Sequence, residues 1–356
     1  MKIILAIDSF KGCLTSEEVE NIISSSLTSC DAEIRRIPMS DGGEGMLEAF
    51  ISAMNGNIVE AEVHDPLMRP IKARYGISPD GTAVIETAKA CGLTLMSADE
   101  RNPLTATTYG VGELIIHALQ NGCKSFVIGL GGSGTSDSGE GMLKAISGYF
   151  HAGQNIKDII EKEMGHCRFT LASDVRNPLY GANGAGYVFA PQKGATPEMV
   201  IELDNRARKF AAESALIMGK DSSHMPGAGA AGGLGYAFLQ YFNAEFKSGA
   251  DLLLDLTDFN RIISDADLVI TGEGHADEQT LMGKLPERVL RRAQRHKVPV
   301  WLIAGRASQK ERLMAEGFSA IHSITPDSMP TEEAVRPDNA AINIKRWAET
   351  HLLPLL

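Results

Sequence analysis

The 356-residue chain is short of cysteine, aromatic residues and positive charge, and each shortage removes a class of function. Its five cysteines (Cys13, Cys30, Cys91, Cys123 and Cys167) are scattered and odd in number. No Cys-x-x-Cys and no Cys/His zinc spacing occurs, so they read as reduced, mostly packing thiols of a cytosolic protein. The nine histidines hold no His-Glu-x-x-His pair. A formal net charge of −11 argues against a nucleic-acid-binding surface, which needs a basic face. Any anionic substrate must then be drawn in by a local positive site. Long apolar runs are absent too: Ile3 to Ile7 is five apolar residues before Asp8, far short of a signal-peptide core or membrane span. The expectation is a soluble, cytoplasmic protein with no membrane partner. The Walker A pattern is missing as well, because Gly219-Lys220 and Gly283-Lys284 lack the upstream glycine spacing, and this argues against a P-loop kinase.

What the chain does have is glycine, 36 residues of it, gathered with Asp, Glu, Ser and Thr where strand patterns run out. The clusters are Asp8-Ser9-Phe10-Lys11-Gly12, Ser40 to Gly45, Gly129 to Gly139, Ser173-Asp174 and Thr271 to Asp277. In an open α/β sheet the carboxyl ends of the strands form the ligand-binding crevice. Glycines there let backbone N–H groups approach a phosphate, and carboxylates can hold Mg²⁺. One such cluster is ordinary loop chemistry. Five of them suggest phosphoryl transfer.

The length allows two domains, since single cores stop growing near ~250–300 residues. The N-terminal stretch reads strand 2–7, helix 16–28, strand 33–37 and helix 44–54, with Thr15-Ser16-Glu17-Glu18 as a capping box. Short strands at 58–63, 73–77 and 83–85, broken by Asp65-Pro66 and Pro79-Asp80-Gly81, read as an antiparallel meander. Helix 110–120, strand 125–130 and helix 139–147 follow. Strands near 169–172 and 186–189 come next, then helices from Thr196-Pro197 and over 230–242. Beyond residue 265 the βα alternation returns with strands 267–271, 298–304 and 319–324. Residues 325–338 read as a loop, and a helix closes the chain. A discontinuous α/β domain carrying an insertion and two domains in series both fit this pattern.

Gly129-x-Gly131-x-x-Gly134 follows a strand and matches a dinucleotide fingerprint, but hydroxyl and carboxylate residues interrupt it and no acidic strand end follows at the right distance. A phosphate-cradling loop leading into a helix fits better, beside the plainer reading of a tight turn. Gly227 to Gly235 also satisfies the pattern without a preceding strand, and either close helix packing or contact with a nucleotide explains it. Ser9, Lys11 and Gly12 sit between the first strand and first helix, a plausible anion site. Asp41 and Glu44 read either as ligands or as helix caps, and Asp174 either as a ligand or as a turn residue. Glu273 and Asp277 share a loop with Gln279 and Thr280.

Together these segments resemble the bacterial glycerate kinase family that lacks a P-loop. The matching stretches are Asp8 to Gly12, Pro38 to Gly45, Asp65-Pro66-Leu67-Met68-Arg69-Pro70, Gly131-Gly132-Ser133 with Asp137, and Asp174-Val175 with Asn177-Pro178-Leu179. Further along come Pro191-Gln192-Lys193-Gly194-Ala195-Thr196, Pro226 to Gly233, and Thr271-Gly272-Glu273-Gly274 with Asp277, Gln279-Thr280 and Gly283-Lys284. The chain departs from the family at Gly134, Ser136 and Ser138, where Ala, Asn and Gly are favoured, and at Arg176, where an acidic residue is common. The resemblance implies ATP- and Mg²⁺-dependent phosphorylation of glycerate, with 2-phosphoglycerate the favoured product. It also implies two α/β domains with the active site in the cleft between them, one flavodoxin-like (Rossmann-like) and discontinuous, the other inserted. That supports residues 1–60 and 265–356 as the flavodoxin-like domain and 61–264 as the insertion.

On this reading Ser9, Lys11, Asp41 and Arg69 bind substrate, with Lys11 and Arg69 on anionic groups. Gly131, Gly132, Ser133, Gly229 and Gly232 bind nucleotide. Asp174 and Asp277 take Mg²⁺ and base roles, and Lys11 joins them as catalytic. The competing readings are a nicotinamide-dependent reductase of a small hydroxy acid and a non-catalytic small-molecule-binding regulator. Oligomeric state is not legible in the sequence.

Overall fold

The computed structural model describes residues 1–10, 12–28, 31–40, 45–150 and 155–356. Among them eleven strands occur in chain order: β1 (Lys2–Ile7), β2 (Glu33–Arg36), β3 (Asn57–His64), β4 (Pro70–Ile77), β5 (Thr82–Glu86), β6 (Ser125–Gly129), β7 (Arg168–Ala172), β8 (Glu245–Lys247), β9 (Leu268–Ala276), β10 (Val300–Ala307) and β11 (Ala320–Ser323). The chain forms two compact units, Met1–Asp41 with Ala250–Leu356, and Gly42–Gly249.

The first unit carries a wholly parallel sheet in the order β2-β1-β9-β10-β11. Counted within the unit this is the flavodoxin-like order 2-1-3-4-5. β1 is an interior strand between β2 and β9, which is why Ile3 to Ile7 form an unbroken apolar run: helices cover both faces and all five are fully buried. Helix Ser16–Ser26 opens with the expected capping box, Thr15 Oγ1 accepting from the Glu18 N–H and Glu18 accepting from the Thr15 N–H at 2.8 Å. It turns Val19 and Ile23 onto the sheet, into one core with Leu268, Ile270, Ile303 and Trp347.

The second unit carries a mixed sheet, β3-β4-β5-β6-β7-β8. The β3-β4-β5 meander is antiparallel as read, and β5 then continues into a parallel run with β6, β7 and β8. Phe126 and Phe169 stack across β6 and β7 with centroids 4.6 Å apart, above helix residues Phe238 and Phe242.

Three readings shift. The units divide near residues 41 and 249, against the expected 60 and 264. Helix Met46–Met54 lies on the meander, where a Cβ at Gly76 would stand 2.1 Å from the Ile51 side chain. Helix Gly249–Leu256 is bound to helix Leu285–His296 through Asp251 and Asp255, which pair with Arg292 at 3.1 and 2.7 Å. Residues 186–189 form no strand: Ala185–Phe189 is a helix packed on helix Pro197–Met218, and Gly186 admits the Val200 backbone closely. A five-residue apolar run does not separate strand from helix by itself. Within the loop expected at 325–338, Pro330 caps a short helix, Thr331–Ala334.

Candidate active site

In the 2-1-3-4-5 order the switch point lies beyond the carboxyl ends of β1 and β9, where ligands bind such sheets. A cavity of about 380 Å³ opens there, lined by Asp8, Ser9, Glu273, Lys284, Arg306 and Thr325 on its polar side and by Phe10, Ile324 and Val335 on its apolar side. Asp8 is buried immediately after β1, its N–H donating to the Gly272 carbonyl across the switch point at 3.0 Å and its carboxylate accepting from the Ser9 N–H at 2.8 Å. Glu273 on β9 is 6% exposed. One of its oxygens accepts from Thr280 Oγ1 at 2.6 Å and the other from Lys284 Nζ at 3.1 Å. A buried carboxylate needs such partners, since an unpaired one would cost several kcal/mol. Arg306 adds a second cation; its guanidinium donates to the Met329 carbonyl, while its Nε is buried with no partner among the described residues.

Asp277 follows β9 and caps the turn Glu278–Leu281, accepting from the Gln279 N–H at 2.8 Å, with His275 Nε2 4.0 Å from its other oxygen. Lys11 and Asp41, expected beside this site, lie outside the described residues.

In the second unit, the carboxyl ends of β5, β6 and β7 share one edge. The loop Gly131-Gly132-Ser133 leaves β6 there, and Asp174 follows β7 on the neighbouring strand, accepting from Ser248 Oγ at 3.3 Å. Gly132 has φ +75°, a conformation that favours glycine. The loop is pinned by the segment after β5: Leu93 N–H donates to the Gly132 carbonyl at 2.9 Å, and Gly134 N–H to the Cys91 carbonyl at 2.8 Å. The helix that follows, Glu140–Phe150, is closed at its N-terminus by Asp137, which accepts from the Gly139 and Gly141 N–H groups, both at 3.1 Å, and from Thr108. Ser136 Oγ is buried there with no partner among the described residues.

Gly232 packs on the continuation of that loop, and Gly229 on the Asn177-Pro178 segment after Asp174. A Cβ at Gly229 would lie 2.3 Å from the Pro178 carbonyl oxygen, and one at Gly232 would lie 2.0 Å from that of Thr135. Their immediate role is close backbone packing. Arg69 donates once from each guanidinium nitrogen, to Asp65 at 2.6 Å, Glu100 at 2.7 Å and the Leu95 carbonyl at 2.8 Å, and its side chain stays 46% exposed with further N–H donors beyond these three. That network ties the β3–β4 turn to the segment near residue 95.

Sequence reasoning passed over Asp8, Lys284, Arg306 and Lys193. Asp8 stands directly after a strand and Lys284 directly before a helix, and that position is their signal in the sequence. Arg306 lies two residues past the strand expected at 298–304 and within the observed β10, and nothing in its sequence context marks it. Among the described residues no three His, Cys, Asp or Glu side chains gather closely enough to hold a metal by themselves, and no helix is long and apolar enough to cross a membrane.

The glycerate kinase family model matches residues 3–353, and the chain belongs to that family. It is 42% identical to the glycerate kinase of Bacillus subtilis (strain 168), over 98% of this chain and 96% of that one. Its identity to the glycerate 2-kinase of Escherichia coli (strain K12) is 38%, over 94% and 93% of the two chains. A crystal structure from Salmonella typhimurium LT2, assigned to glycerate kinase 2, superposes with a TM-score of 0.82 at 38% identity, covering 100% of this chain and 98% of that one. Family membership sets aside the reductase and regulator readings.

Proposed function

We propose that this chain transfers the γ-phosphoryl group of ATP to a hydroxyl of glycerate with the help of Mg²⁺, 2-phosphoglycerate being the favoured product. The observation that carries the reading is the gathering of Asp8, Glu273 and Lys284 around a cavity at the switch point of the first unit. Phosphoryl transfer asks a protein mainly for positioning and charge neutralisation. Lys11 and Arg69 are assigned to anionic groups of substrate or phosphate, and Ser9 and Asp41 to glycerate. The amides of Gly131, Gly132 and Ser133 are assigned to the nucleotide, with Gly232 packed on the Thr135 backbone that continues their loop and Gly229 on the Asn177-Pro178 backbone that follows Asp174.

Asp174 and Asp277 are assigned to Mg²⁺ or base roles. Carboxylates are hard oxygen donors of the kind Mg²⁺ takes, and both stand at strand ends; a carboxylate accepts several bonds at once, so the contacts from Ser248 and Gln279 are compatible with a metal. When bound, the ion would neutralise charge on the phosphate oxygens. A cytoplasmic setting agrees with the reduced-thiol reading, and Cys13, Cys91, Cys123 and Cys167 are free.

Incubation with glycerate, Mg²⁺ and ATP should release ADP only when glycerate is present. NADH with hydroxypyruvate should show no change in nicotinamide absorbance. Phosphorus NMR of the product identifies the hydroxyl, and ADP release indifferent to glycerate would overturn the assignment.

A further inference from the structure

The motif Pro191 to Thr196 has no role in the reading above, yet its local structure delivers one side chain inward. Pro191 starts the single turn Pro191–Lys193, Gly194 ends it at φ +93°, and Thr196 caps the long helix that follows. The turn aims Lys193 into the interior, where the residue is 2% exposed. Its ammonium donates to Ser133 Oγ at 3.0 Å and to the Thr135 carbonyl oxygen at 2.6 Å. Both acceptors belong to the loop that leaves β6.

A buried lysine is costly, because burial disfavours the charged form. Here burial pushes its pKa down to about 8, while Cys91 and Asp137 oppose the fall; those are the titratable groups facing it. Cys91 is itself pushed up to about 12 by burial, so it faces Lys193 as a neutral thiol. A fold seeking only stability would fill this position with an apolar side chain. The ammonium has a specific use: its bonds to Ser133 and Thr135 add to the backbone bonds that Leu93 and Cys91 make at Gly132 and Gly134, so successive residues of the loop are each held from outside it.

We propose that Lys193 is a positioning residue for the nucleotide, clamping Ser133 and Thr135 so that the amides of the Gly131-Gly132-Ser133 loop are set for a phosphate group and placing positive charge beneath it. This rests on reading that loop as nucleotide-binding. The expected signature is on ATP, and glycerate handling is unchanged except through ATP.

The test is steady-state kinetics with ATP calorimetry on wild type, Lys193→Met and Ser133→Ala. Lys193→Met keeps the length of the chain and removes the donor. It should raise the KM for ATP about ten- to a hundredfold, at constant KM for glycerate, and Ser133→Ala about two- to tenfold. Wild-type ATP affinity should fall as pH rises through about 8, where the ammonium is lost, whereas the methionine variant should be flat over that range. Lys209→Met, at an exposed lysine, is the control and should match wild type.

An ATP affinity within twofold of wild type in folded Lys193→Met would overturn the assignment. If that variant does not fold, Ser133→Ala decides, and unchanged ATP affinity there overturns it equally. A wild-type chain that binds no ATP at all would overturn the underlying reading of the loop, and the assignment with it.

Discussion

Gly232→Ala separates packing from direct nucleotide contact, and the structure sets its size. Gly232 has φ +66°, so an alanine there pays the left-handed penalty of about 1–2 kcal/mol. The added Cβ would stand 2.0 Å from the Thr135 carbonyl oxygen and 2.7 Å from the Ser136 Cα, both backbone atoms that cannot rotate away. Overpacking of that kind costs about 1–3 kcal/mol more. Relieving it also stretches the bond from the Ser138 N–H to the Gly232 carbonyl, now 3.1 Å. The sum is about 2–5 kcal/mol, or roughly 5–15 °C in Tm for a unit of this size. Gly81→Ala is the matched control: its φ is +80° with nothing within 4 Å, so only the first cost, about 1–2 kcal/mol, applies. Differential scanning calorimetry of both variants with and without ATP reads the difference directly. If Gly232→Ala melted with Gly81→Ala while losing ATP affinity, the glycine would be serving the nucleotide directly and the packing argument would be wrong.

Buried Glu20 accepts from the Ile7 N–H at 3.2 Å, and burial raises its pKa well above the ordinary carboxylate value. The folded chain thus holds a proton that the unfolded chain releases above about pH 4.5, so stability falls as pH rises from there towards the folded pKa. Glu20→Gln should remove that slope: urea titrations from pH 4.5 to 7 should show the variant gaining on wild type by roughly 1.4 kcal/mol per pH unit wherever only the unfolded carboxyl is ionised, and parallel curves would refute it. For Asp174→Asn and Asp277→Asn, turnover should drop by at least a hundredfold with Tm nearly unchanged, and the double variant should be far less than additive if both carboxylates serve one step. Near-normal turnover in either variant at low Mg²⁺ removes that residue from the mechanism.

The first strand, its buried character, the capping box at Thr15 and Glu18, and the strand-end position of Asp8, Gly131 and Asp174 were all legible along the chain, because each rests on neighbours a few residues apart, whereas β9 runs on past the expected residue 271 and holds Glu273 within it. Periodicity and capping are local physics, and so is the turn chemistry that punctuates the βα alternation. The discontinuous α/β plan was legible once the motif order was added. Residues 186–189 were misread because a short apolar run carries no period long enough to separate the two conformations.

What only the folded chain decided lies in pairings between distant residues. β1 accepts β9, more than 260 positions away, as its neighbour, and that pairing creates the switch point where Asp8 and Glu273 meet one cavity. Arg69 finds Asp65 four residues back, but its bonds to Glu100 and the Leu95 carbonyl exist only in the fold. Gly229 and Gly232 looked equally like nucleotide contacts or packing residues until the backbones of Pro178 and Thr135 came within about 2 Å of their missing side chains. Lys193 stood in a plain motif, and burial against Ser133 gave it a partner 60 residues away. Sequence patterns report the chemistry a residue can do. Which partner it meets depends on long-range strand pairing and close packing, and these exist only in three dimensions.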